Sequence, residues 1–160
     1  MHKFQTRRRV PFSAEQMFQV VAAVDKYPEF LPLCESIYVA SRERRGAATE
    51  LVATMSIGYQ ALAESFTSRV MLHPNEREIF VTYLDGPFSH LENRWVFRDL
   101  SGGSEVDFFI AYEFRSTMLA LLMGALFDKA VRKFASAFEE RAYQLYRNPR
   151  MPTQVANSSK

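Results

Sequence analysis

Cysteine is almost missing from this chain: Cys34 stands alone among 160 residues. One thiol excludes an internal disulfide, and with no CxxC partner it excludes a thiolate metal site; a reduced, cytosolic setting is expected. Histidine is nearly as scarce. His2, His73 and His90 are dispersed, with no HxH or HExxH spacing, so no metal ion is expected. Charge of one sign is also in short supply. Twenty basic against eighteen acidic residues leave a net +2, interleaved along the chain, which does not exclude nucleic acid but supplies no strong electrostatic footprint for it; DNA is not an expected partner. No apolar run approaches the ~20 residues that span a bilayer. The basic N-terminus MHKFQTRRRVPF is not followed by the apolar stretch of a secretory signal, and it reads as part of the fold. Internal repeats and low-complexity segments are missing too.

What is abundant is aromatic. Fourteen Phe and seven Tyr help bring the aromatic share to 14%, within an ordinary balance of 48% hydrophobic and 24% charged residues. Aromatic side chains bury large areas with few torsions to freeze, so such a core stays well formed even around a cavity. The most unusual segment is 118–127, MLALLMGALF, which has no charged or polar side chain. A helix apolar on every side cannot rest one face in water. It must be wrapped by the domain, cover an apolar cavity, or touch something greasy that comes and goes.

Periodicity orders the elements. Residues 3–10 alternate and end at Pro11, which predicts a first strand. Ser13 with Gln16 has the spacing of a capping box, ahead of a stripe of Met17, Val20, Val21 and Val24. The prolines of 25–32, DKYPEFLP, predict a short helical turn and a loop. Strands are predicted at 36–44, 49–57, 62–72, 78–84, 91–97 and 106–114, with short connections that imply antiparallel neighbours. From 116 to 146 the period becomes helical; after Phe127 the helix is amphipathic, with Ala130, Val131, Phe134, Phe138 and Leu145 opposite its charges. The predicted class is α+β: a curved antiparallel sheet wrapped around a long C-terminal helix, with two short helices after the first strand. Residues 1–147 form one domain, and 148–160 read as a flexible polar tail. Where a curved sheet leaves its helix, a ligand cavity is expected.

Specific motifs carry a resemblance. YPEFLPLC at 27–34, FTSRV at 66–70, and DGPF at 85–88 followed by Leu91, Trp95 and Phe97 resemble the START-like helix-grip family, in particular its coenzyme Q-binding, polyketide cyclase/dehydrase-related branch. The same motifs are similar to the bacterial ribosome association toxin subgroup, whose members hinder pairing of ribosomal subunits. The resemblance implies a helix-grip fold and a non-catalytic lipid chaperone that holds ubiquinone, an isoprenoid quinone, or a similar lipid and supports respiratory electron transport. The implied setting is cytoplasmic, peripheral to the inner membrane, with transient membrane contact. A ribosomal subunit is the partner implied by the second subgroup; a polyketide cyclase is a more distant reading.

The residues themselves narrow the site. Ser89 and His90 beside Asp85 name a triad only superficially, because neighbours in a turn cannot aim at one substrate atom; no catalytic residue is expected. Strand parity and the inner helical stripe put Phe66, Trp95, Phe97, Phe108, Ile110, Tyr112, Leu119, Leu122, Met123, Leu126 and Phe127 around one apolar space, with Met17, Met55, Met71, Met118 and Met123 as adaptable lining. The bland alternative is that they fill the core. Three polar residues share the inward parity: Arg8, Glu64 and Asn93. Buried without partners they are costly, so they pair, sit at the rim, or meet a ligand's polar head. Tyr27, Phe30, Leu31 and Pro32 mark the pocket mouth, where Phe30 and Leu31 either dip into a bilayer or staple the loop to the core. Arg7, Arg9, Arg42, Arg44 and Arg45 are solvated or assist at anionic lipid or RNA.

Overall fold

The computed structural model describes residues 1–146; the expected tail lies outside that range. Its elements are β1 (His2–Val10), α1 (Ala14–Ala22), a 3₁₀ helix (Val24–Glu29), β2 (Cys34–Arg45), β3 (Ala48–Tyr59), β4 (Leu62–His73), β5 (Glu78–Asp85), β6 (Phe88–Leu100), β7 (Gly103–Phe114) and α2 (Thr117–Tyr146). The expected order is observed. All strands form one antiparallel, curved sheet in the order β1-β7-β6-β5-β4-β3-β2, so only β1 fails to neighbour its successor in the chain. A first strand that closes on the last leaves the two short helices to cross the sheet's inner side.

Local chemistry fixes the ends of the helices. Ser13 Oγ accepts from Gln16 N–H at 3.0 Å while Gln16 Oε1 accepts from Ser13 N–H at 2.9 Å, the reciprocal box that satisfies two otherwise orphaned donors. Ser116 Oγ accepts from Leu119 N–H at 3.1 Å and caps α2. In β1 the inward parity of Phe4, Thr6, Arg8 and Val10 shows as alternating burial, as period-two patterning requires. The strands run past their predicted ends: β6 starts at Phe88, where a bulge between Phe88 and His90 lets the strand resume its register after the turn. Gly86 sits in that turn with φ +144°, and a Cβ there would lie 2.6 Å from Phe66 Cβ. The DGPF motif thus needs glycine so that the β5–β6 turn closes onto Phe66.

The inner face of α2 is a stripe of Met123, Phe127, Val131, Ala135, Phe138 and Ala142, all buried, with the helix packed on the sheet and on α1. Of the three options open to its first turns, an enclosing wrap is not the one observed. Met118, Leu121 and Leu122 are 70%, 81% and 54% exposed, so the apolar run keeps an uncovered face. Among the described residues, no helix is long and apolar enough to cross a membrane.

Candidate functional site

Between the sheet and α2 lies a cavity of about 100 Å³, the space open to the centre of a water molecule. Two aromatic groups bound it. At the β5–β6 turn, Phe88 packs on Phe66, Phe114, Phe127 and Tyr112 with centroids 4.9–6.2 Å apart. Toward the other end, Trp95 meets Phe108 at 4.6 Å and Phe138 at 5.0 Å, and Phe138 in turn meets Tyr27 and Phe30, each at 5.1 Å. Edge-on and tilted contacts, with one stacked pair at Phe88–Phe114, make stiff walls. The interior between them stays open where small side chains face each other: Ala53 on β3 is directly opposite Ser68 on β4.

The cavity wall contains no Asp, Glu, His, Lys or Arg. Its polar atoms are few, and most are committed. Tyr27 donates its hydroxyl to the Val21 carbonyl, and burial pushes that phenol well above its ordinary range. Trp95 Nε1–H donates to Asn93 Oδ1 at 3.1 Å, and Asn93 Nδ2–H donates to the Phe109 carbonyl at 2.8 Å. Ser68, only 5% exposed, has a hydroxyl with no partner at all.

Of the residues expected around the apolar space, Phe66, Trp95, Phe108, Ile110, Phe127 and Asn93 line the cavity, together with Tyr27, Leu31 and Pro32 from the expected mouth. The others do not. Phe97 is buried but packs edge-on against Phe18 of α1, and Tyr112 is buried beside Phe88 and Asp128: both share the correct strand parity but lie beyond the cavity's ends. Met123 is buried without reaching the cavity, Leu119 and Leu126 are half-buried, and Leu122 faces solvent. An apolar run on all sides carries no phase, so of the helix residues expected at the space only Phe127 reaches it. Of the methionines, Met55 alone lines the space.

Arg8 points inward as parity requires, yet it reaches Glu139 of α2 at 2.9–3.0 Å at the rim, 40% exposed, and makes no cavity contact. Glu64 is half-buried and also outside the cavity. Loop 30–32 follows the staple alternative: Leu31 is 6% exposed and Phe30 lies under Arg141, 5.1 Å from guanidinium to ring. Pro32 lines both the cavity and an outer polar groove that holds Arg8, Lys133 and Glu140, so this loop is the thin wall between interior and surface. Behind it, Leu33 takes φ +69° and turns its side chain to the cavity as β2 begins. Such a conformation costs a non-glycine residue about 1 kcal/mol and marks a segment held by its surroundings. Burial pushes the Cys34 thiol up to about 11, so it stays protonated and unreactive near neutrality.

Residues that the sequence did not single out include Ser68, Ala53, Val81 and, on α2, Phe134 and Phe138. The last two were legible as the amphipathic stripe. Ser68 shares the inward parity of Phe66 and Val70 in the FTSRV motif; its pairing with Ala53 depends on strand register.

The family described as polyketide cyclase / dehydrase and lipid transport matches residues 10–139. The chain belongs to that family. It is 32% identical over 148 residues to the ribosome association toxin RatA of Rickettsia prowazekii, covering 91% of this chain and 99% of that protein. It is 31% identical over 150 residues to the mitochondrial coenzyme Q-binding protein COQ10 homolog B of Xenopus laevis, covering 91% of this chain and 59% of the relative. The solution structure of an 18 kDa protein from Caulobacter crescentus superposes with a TM-score of 0.74 at 33% identity, over 91% of this chain and 99% of that one. The curved antiparallel sheet with a long C-terminal helix, expected from the YPEFLPLC and DGPF motifs, is thereby shown, and so is membership in the polyketide cyclase / dehydrase and lipid transport family.

Proposed function

We propose that this chain is a non-catalytic carrier that holds the ring or proximal tail of an isoprenoid quinone such as ubiquinone between sheet and helix and supports respiratory electron transport. The observation that carries this reading is the cavity's lining: apolar apart from Ser68, Asn93 and the internally hydrogen-bonded polar ends of Tyr27 and Trp95, with no charged side chain. General acid–base chemistry needs a free titratable group within hydrogen-bond reach of the substrate; the one titratable side chain in this wall, Tyr27, has its proton committed to the Val21 carbonyl and is held protonated by burial. Absence of a cation also disfavours an anionic head group, because a carboxylate or phosphate would be buried unpaired. A neutral, oxygen-poor molecule fits.

Size sets a limit on the occupant. An apolar cavity of ~150 Å³ accommodates benzene, so about 100 Å³ takes a compact ring after slight relaxation, or a few tail carbons. The remaining tail leaves past the Leu31–Leu33 wall. The uncovered face of Met118, Leu121 and Leu122 supplies the membrane contact at which ligand is exchanged. Organic extraction and mass spectrometry of protein purified from its native cells test the reading: a co-purified quinone supports it, and a ligand-free protein that also takes up none from quinone-loaded vesicles contradicts it.

A second reading, docking on a ribosomal subunit to block subunit joining, is favoured by the name and 99% coverage of the Rickettsia relative. Sucrose-gradient sedimentation separates the two. Added protein that shifts joined ribosomes to free subunits supports this reading, and an unchanged profile contradicts it.

A further inference from the structure

We propose that Ser68 is the head-group contact of the cavity: a ligand enters with its oxygen-bearing end first, and a neutral acceptor oxygen takes the Ser68 Oγ–H. This rests on the cavity being a ligand site, as argued above. Ser68 is 5% exposed, lines the cavity, and its hydroxyl has neither donor nor acceptor nearby. A buried hydroxyl without a partner is costly, and native proteins rarely retain one. Ser104 also has an unpartnered hydroxyl, but it does not border the cavity; only Ser68 has open volume in front of it.

The surroundings preserve that volume. Directly across β3 stands Ala53, whose methyl leaves room for a foreign atom beside Oγ. On the other side, the register slips between Thr67 and Ser68, where β5 carries one extra residue between Tyr83 and Asp85. Bulges of this kind re-aim side chains and gather near binding sites. Asn93 lies two strands away and two residues along, level with Val70, roughly 12 Å between backbones, and is held by Trp95 and the Phe109 carbonyl with one N–H still uncommitted. A ring bearing carbonyls on opposite edges places one oxygen toward Ser68 and turns the other toward Asn93. With no cation in the wall, the recognised oxygen is a neutral carbonyl, not a carboxylate or phosphate.

The test compares two molecules of nearly equal shape, tetramethyl-1,4-benzoquinone and 1,2,4,5-tetramethylbenzene, by calorimetric titration of the full chain and its Ser68→Ala variant. One lost neutral hydrogen bond weakens the quinone by about fivefold and leaves the hydrocarbon bound as tightly or more so. Thermal unfolding of the ligand-free variant should be unchanged or higher, since an orphaned hydroxyl has been removed. Equal responses of both molecules, or of neither, overturn the assignment while leaving the cavity reading intact. Failure of both to bind the unsubstituted protein overturns the cavity reading, and the Ser68 contact with it.

Discussion

Replacing Ala53 by leucine tests whether the space beside Ser68 is empty. Ala53 is 6% exposed and its Cβ faces the cavity. Leucine adds three carbons, at ~0.8 kcal/mol of transfer free energy per buried methylene, less about 0.5–1 kcal/mol for the rotamer freedom that a buried leucine loses. Three carbons need less than the roughly 100 Å³ available, so the net expectation is a stabilisation of about 1–2 kcal/mol. For a domain of this size that raises Tm by about 3–6 °C. A solidly packed interior would respond with the opposite sign, because overpacking costs about 1–3 kcal/mol. Calorimetric melting of both proteins decides the sign, and quinone titration should show binding lost in the same variant. A lowered Tm, or affinity untouched by the added side chain, refutes the reasoning.

Three further outcomes follow from the geometry. Arg8→Ala removes a rim ion pair between β1 and α2 that is partly exposed, so urea melts should show a loss below about 1 kcal/mol and quinone affinity should stay constant; a large affinity loss would return Arg8 to the ligand site. Leu121→Glu with Leu122→Glu changes two side chains already in solvent, so stability should move by no more than about 0.5 kcal/mol while flotation with liposomes falls; unaltered flotation would remove the α2 face from membrane contact. Alkaline stability carries a defined sign. Burial raises Cys34 from 9.0 to about 11, and burial followed by the Asp128 charge raises Tyr112 from 10.0 to about 12. The folded state therefore holds protons that the unfolded chain releases, and this stability is complete below pH 9.0 and lost as pH rises through about 11–12. Denaturation midpoints that stay flat from pH 8 to 11, or fall as steeply in Cys34→Ala, would contradict the assignment.

Much of the fold was legible because its signals are local. The Ser13–Gln16 box, the alternation through Val106, Phe108, Ile110, Tyr112 and Phe114, and the switch to a helical period after Ser116 each depend on residues a few positions apart. Parity also placed Asn93 and Trp95 on one face, and that face is the cavity wall. The site's extent was not legible, for two physical reasons. Parity says which face a residue takes but not how far along the strand a cavity reaches, so Phe97 and Tyr112 were included although each packs solidly at an end. Which side chains confront each other across strands depends on register, so parity could turn Ser68 inward with Phe66 and Val70, but its pairing with Ala53, which keeps the interior open, could not be read. The helical misplacement had a remedy: stepping back from Phe138, Phe134 and Val131 by 3.6 residues reaches Phe127 and Met123 and leaves Leu121 and Leu122 outside.

Trp95 offers the most direct check, because it is the chain's one tryptophan and stands in the cavity wall. Titration with a short-tailed ubiquinone such as the decyl analogue should quench its fluorescence saturably at one ligand per chain, with the quenching abolished in Ala53→Leu. Quenching that rises linearly without saturation and is identical in both proteins would mean that quinone meets the tryptophan only by collision, and that nothing enters between sheet and helix.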